Sequence, residues 1–142
     1  MAAADGIQTS MSTRLETGNA TEVARETRGW FVGDLIAWAR KRGDSSADPD
    51  SPRQTSQLEV KWSDHPPGDR RRALAPPDAF MTLAILVDGE MITEFISASG
   101  ERSCVTQSRR GDYVIWHGPS YSHQWRTDSG ATIVTVRWPV TD

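Results

Sequence analysis

The chain has 142 residues, a formal net charge of −3 and a sequence pI near 5.6, which suits one domain with a real core and excludes the basic face that a nucleic-acid backbone demands, although arginines cluster at 70–72 and 109–110. One cysteine, Cys104, rules out an intrachain disulfide and a cysteine-rich zinc site, and it suits a reducing compartment. No apolar run reaches bilayer length and residues 1–5 lack the basic and apolar regions of a leader, so a soluble cytoplasmic protein with neither membrane nor nucleic acid as partner is expected.

Residues 1–27 are rich in Ala, Thr, Glu and Gly without a hydrophobic period, and are expected as a flexible N-terminal arm ahead of a single domain at 28–142. In GWFVGDLIAWARKR (29–42), Trp30, Phe31 and Val32 favour a strand, and Leu35, Ile36 and Ala39 fit a short helix. Gly33 weakens a continuous helix by about 1 kcal/mol, and the reading adopted is a strand over 30–36 with any helix after it. Residues 43–56 form a surface loop by composition. QLEVKW (57–62) alternates as a half-buried strand, with Leu58, Val60 and Trp62 on one face.

After His65-Pro66-Pro67-Gly68 and the proline-containing connection 69–79, a hydrophobic run at 80–87 and a strand at 90–96 flank Asp88-Gly89, a strong local hairpin signal. Ser99-Gly100 marks a turn, 103–107 a short strand, and 131–138 the last strand. Between them GDYVIWHGPSYSHQWR (111–126) reads as a strand, a Gly118-Pro119 turn and a returning strand. Seven or eight short strands with Gly, Pro and Asp turns indicate an antiparallel sandwich or jelly roll.

The segment 111–126 resembles the second motif of the cupin superfamily, with His123 in the motif's histidine position. FMTLAILVDGEM (80–91) resembles the hairpin of the first motif, with Gly89 as its turn glycine. The resemblance spans roughly 57–138 and is to short stand-alone bacterial cupins. It implies an all-β fold, the cupin-type double-stranded β-helix or jelly-roll barrel.

Metal-binding cupins place a His-x-His pair and then a glutamate before the turn glycine. Here Pro76, Pro77, Asp78 and Ala79 stand in that region, and Thr82 occupies the glutamate position. Threonine, proline and alanine do not replace imidazole and carboxylate as ligands, so neither a metal nor another cofactor is expected.

The candidate site residues follow from strand alternation and residue chemistry. If His123 faces inward, Tyr121 and Trp125 do so too, and Trp116, Trp62, Thr82 and Asp78 are the further candidates for substrate contact. His65, next to a strand end, joins His123 as a candidate acid or base because imidazole titrates near neutral pH; His117, beside the turn, reads as a rim histidine. Glu94 shares a face with Ile92 and Ile96, so if that face is buried its charge requires a cation, and Arg137 is the proposed partner. Arg137 is alternatively a fork for a substrate carboxylate or enolate. Cys104 is expected as a small core residue, and Ser120 and Ser122 form no nucleophile elbow.

The function expected is a metal-independent enzyme of specialised metabolism, catalysing cyclisation, isomerisation or related proton-transfer or pericyclic chemistry in the barrel. A non-catalytic cupin that senses or sequesters a small molecule is the alternative, and a metal-dependent dioxygenase the third. A small-molecule ligand and a second copy of the chain, as a homodimer, are the expected partners. A buried imidazole of perturbed basicity with a polar group opposite it favours catalysis, and an all-apolar pocket favours binding.

Overall fold

Period-two burial organises the chain. In β3 (Phe80–Gly89), buried Thr82, Ala84 and Leu86 alternate with half-exposed Leu83 and Ile85; in β4 (Met91–Ser97), buried Met91, Thr93 and Phe95 alternate with Ile92, Glu94 and Ile96. Strands with one buried face pack that face against a second sheet. The structure, a computed structural model that describes residues 14–141, has this form.

Among the described residues there are eight strands. One sheet has the order β1 (Trp30–Val32), β2 (Glu59–His65), β8 (Ala131–Pro139), β3, β6 (Tyr113–His117), and the other the order β5 (Arg102–Gln107), β4, β7 (Tyr121–Arg126). Every pairing is antiparallel. Ala84, Leu86, Met91, Ala131 and Ile133 form the core between the sheets at one end of the barrel. No helix of the described residues is long and apolar enough to cross a membrane.

Asp88-Gly89 is not a hairpin. β3 pairs with β8 and β6, whereas β4 pairs with β5 and β7, so the chain turns a corner from one sheet to the other. Gly89 has φ 86° and a Cβ there would lie 2.0 Å from the Gly130 carbonyl oxygen. The corner needs glycine for close backbone approach as well as for its dihedral. β6 and β7 likewise belong to different sheets, joined by a 3₁₀ turn at Gly118–Ser120. The expected turn at Ser99-Gly100 does join a paired hairpin, β4 and β5.

The strand expected over 30–36 stops at Val32. Asp34 caps a helix, α2 (Leu35–Lys41), its Oδ1 accepting from Ala37 N at 3.2 Å and from Gln54 Nε2 at 3.1 Å. Of the expected arm, residues 1–13 lie outside the described residues. Part of the rest is laid against the barrel: a short helix, α1 (Ala20–Val23), touches β2, Thr21 Oγ1 donates to Asp64 at 2.7 Å, and Ala24 is 2% exposed, whereas residues 14–19 are exposed.

Candidate functional site

Above the core, and lined in part by its Ala84, Met91 and Ile133, the two sheets part around a cavity of about 400 Å³, within the range of small-molecule sites. Cross-strand register sets its walls in layers. The outermost layer of the larger sheet is Glu59, Arg137, Thr82 and Trp116, and the next is Lys61, Thr135, Ala84 and Val114. Ser63, Ile133 and Leu86 lie below. The walls therefore run from charged at the mouth to apolar at the floor.

The smaller sheet contributes Met91 and Thr93 from β4, Gln107 from β5, and His123 and Trp125 from β7. His123 lies beside Phe95 across the strand pair, and its ring packs 5.1 Å from Trp116 and 6.1 Å from Phe95, centroid to centroid. Its basicity is lowered chiefly by burial, then by Arg71 and Arg137, while Asp78 pulls in the opposite direction. The imidazole is thus neutral at pH 7 with a carboxylate and two guanidiniums in its field.

Asp78 and Arg71 reach the cavity because residues 70–78 run along β7 as an irregular extra edge. Ala75 N donates to His123 O at 2.8 Å, His123 N donates back at 3.0 Å, and Arg71 N donates to Trp125 O at 2.9 Å. The Asp78 carboxylate accepts from Phe80 N at 3.0 Å, and it lies against Gly118, where no side chain stands in its way.

His65 lines the same cavity, its Nδ1 2.9 Å from Asp69 Oδ2 and its ring 4.4 Å from Trp125. Arg137 stacks its guanidinium 4.2 Å from the Phe80 centroid and 5.2 Å from that of Trp30. Its Nε is 3.3 Å from Glu59 Oε1 but is buried without a hydrogen bond, so the ion pair leaves the guanidinium under-satisfied. Lys61 lies over the same Trp30 ring at 5.4 Å; burial foremost, then Arg71, Arg137 and Arg28, lowers its basicity.

Seven of the ten residues named from sequence meet at this cavity: His123, His65, Trp125, Trp116, Arg137, Thr82 and Asp78. The other three do not. Glu94 points away from the barrel and pairs with Arg102 at 3.0 Å rather than with Arg137, because the buried face of β4 is the one carrying Met91, Thr93 and Phe95. Trp62 points outward and donates through Nε1 to Asp64 at 3.1 Å. Tyr121 keeps the face of His123 but sits beyond the mouth, edge-on to Phe95 at 5.9 Å. Cys104 is exposed, not in the core, and exposed His117 holds Ser120 Oγ at 2.6 Å.

Lys61, Ser63, Arg71 and Gln107 went unnamed from sequence. The first two had a signal: residues two apart share a strand face, so placing His65 over the cavity places Lys61 and Ser63 there and excludes Trp62. Arg71 and Gln107 had none, since both depend on which strands become neighbours.

A divalent metal does not fit this donor set. Among the described residues no three His, Cys, Asp or Glu side chains converge. The cavity offers His123, His65 already joined to Asp69, and one carboxylate, Asp78, facing Lys61, Arg71 and Arg137. A second hollow of about 380 Å³ lies between α1 and α2. Several charges around it are joined, Arg53 with Glu16 at 2.7 Å and Arg42 with Asp44 at 3.9 Å, and among the described residues no histidine lines it, whereas the barrel cavity holds His65 and His123 and is the candidate site.

No protein-family model matches the chain, and no curated protein matches it. Solved structures do. A cupin protein from Bacteroides fragilis aligns at 14% identity and TM-score 0.50 over 62% of this chain and 70% of its own. Oxalate decarboxylase of Lactobacillus farciminis, in a formate complex, aligns at 17% and 0.52 over 60% of this chain, and a variant of the Bacillus subtilis enzyme at 18% and 0.50 over 58%. The matched parts are 24% and 21% of those two chains. At these identities the likeness is one of fold.

Proposed function

For a chain whose fold is the cupin double-stranded β-helix, we propose a metal-independent small-molecule enzyme that moves a proton within the barrel, as cyclisation or isomerisation of an oxygenated, largely apolar substrate requires. The observation that carries this reading is the neutral, half-buried His123 lining one cavity with Asp78, which acts on its basicity from the neighbouring 70–78 segment. A depressed imidazole is a base at neutral pH, and Asp78 supports the imidazolium once a proton is taken. Thr82 and Ser63 supply hydrogen-bonding groups for a substrate oxygen. The alternative is a cupin that binds without turnover through the same walls.

Deuterium exchange into the acidic methylene of 1-phenylbutane-1,3-dione, followed by NMR in buffered D₂O, separates the two. The enzyme reading expects acceleration by the full chain, a loss of about 10²-fold or more in His123→Ala, and no change in His117→Ala. Exchange at the buffer rate, or equal acceleration by His123→Ala, would leave the non-catalytic reading standing.

We infer further that two copies pair through the outer face of the larger sheet. Val60, Trp62, Leu83, Ile85, Val134, Val136 and Trp138 lie there half-exposed, extended by exposed Tyr113 and Ile115. Such a continuous apolar face is atypical of a free surface, and an isologous contact satisfies it with its own copy.

A further inference from the structure

We propose that the mouth of the barrel cavity is a carboxylate site, in which Arg137 and Lys61 hold the anion and Arg71 closes over it from the 70–78 connection, and that its ligand is a small aromatic or otherwise apolar monocarboxylate. This deepens the preceding reading: it rests on the cavity being a ligand site, and it does not depend on proton transfer.

The first support is charge. Lys61, Arg71 and Arg137 line one cavity. Among the described residues no ion pair joins Lys61 or Arg71 to a carboxylate, and Arg137 has a single partner, Glu59, which it approaches without a hydrogen bond. Asp78 is the other acid within reach. With Asp69 already joined to His65 at 2.9 Å, three cations, Lys61, Arg71 and Arg137, stand against two carboxylates, Asp78 and Glu59, and leave one positive charge in a partly desolvated space. Like charges gathered this way are unfavourable alone and are relieved by one bound anion.

The second is orientation. Phe80 at 4.2 Å and Trp30 at 5.2 Å stack on the Arg137 guanidinium. With two aromatic rings covering its central carbon, what the group keeps for a ligand is its N–H donors, and these fork onto a planar carboxylate. Lys61 Nζ lies over the same indole at 5.4 Å, and the register places its strand position one inward-facing layer below Arg137. The third is the rest of the space: Trp116, Trp125 and Val114 form apolar walls beside the cations, and Ile133 and Met91 lie deeper in the same cavity. A ligand bearing one carboxylate and one apolar ring or chain meets both halves; inorganic phosphate meets the upper half alone and would face Asp78.

Isothermal titration of the full chain with benzoate, its neutral isostere benzamide and inorganic phosphate tests this, with the melting temperature of every variant measured beside it. Benzoate is expected to bind at least about tenfold more tightly than benzamide in the unmodified protein, a comparison that needs no variant. That preference should collapse in Arg137→Gln, survive in part in Arg137→Lys, and weaken in Lys61→Met. Benzamide binding as tightly as benzoate, with both lost in Trp125→Ala, overturns the carboxylate site and leaves the cavity a ligand site. Phosphate binding more tightly than benzoate, or a benzoate preference unchanged in folded Arg137→Gln and Lys61→Met, also overturns it. Binding of none of the three probes overturns the carboxylate site and the ligand-site reading together.

Discussion

A Cβ on Gly118 would lie 2.0 Å from Asp78 Oδ1 and 2.3 Å from the Phe80 carbonyl oxygen. The carboxylate can yield, but the carbonyl belongs to a paired strand. Gly118→Ala is therefore expected to destabilise by about 1–3 kcal/mol, as overpacking does, and to push Asp78 away from the cavity. Since Asp78 raises the basicity of His123, the imidazole should then titrate lower still, and histidine NMR with a melting curve reads both effects. At His123 itself the sign is set by burial. Its folded-state value is held below the ordinary 6.5, so between the two values the unfolded chain binds more protons, and stability is lost as pH falls through that window. His123→Gln should flatten this part of the pH–stability profile. At this scale His123, Trp125 and Arg137 were legible because alternation and chemistry agreed. Trp62 was misplaced because a large aromatic suggests a core while the phase of the strand, fixed by His65, turns it outward.

Elements were read well where a signal is local and poorly where it is relational. The strands expected at 57–62, 80–87, 90–96 and 131–138 are found at 59–65, 80–89, 91–97 and 131–139, since a local apolar pattern and burial are the same fact there. Asp88-Gly89 misled because the dipeptide reports a turn and not which sheet receives the next strand; the close approach of Gly89 to Gly130 is visible only once β3 and β8 are paired. Asp34 was an N-cap in plain sight, masked by the strand-like Trp30–Val32 before it. The segment at 14–27 has too few apolar residues to declare itself, yet Ala24 is buried and Thr21 is tied to Asp64. Deleting residues 1–27 should therefore lower the melting temperature by several degrees, the scale of about 1 kcal/mol in a domain this size. An unchanged melting temperature would show that this contact contributes nothing.

Over the whole molecule, a net charge of −3 conceals an opposite local balance. Acidic residues lie mostly on the outside, as with Glu94 beside Arg102 and Asp48 beside Arg14, while the cavity gathers Lys61, Arg71 and Arg137. Composition alone argues against a basic face but does not reveal this interior charge, because it depends on sheet order. The same order exposes the apolar outer face of the larger sheet. Light scattering on the eluting peak of a sizing column should give a dimer, and Val136→Glu should convert it to a monomer with the cavity intact. A monomeric unmodified protein would remove the pairing proposal without touching the site.

The proposed proton transfer requires a His123 imidazole that is neutral at pH 7 and is not a metal ligand. With three histidines in the chain, a pH titration of the ring resonances by NMR reads it directly, the His123→Gln spectrum giving the assignment. The expected result is a His123 ring titrating below 6.5, moving lower in Asp78→Asn, and unchanged by one equivalent of zinc. A ring titrating above 6.5, or one whose resonances shift stoichiometrically with the metal, would contradict it.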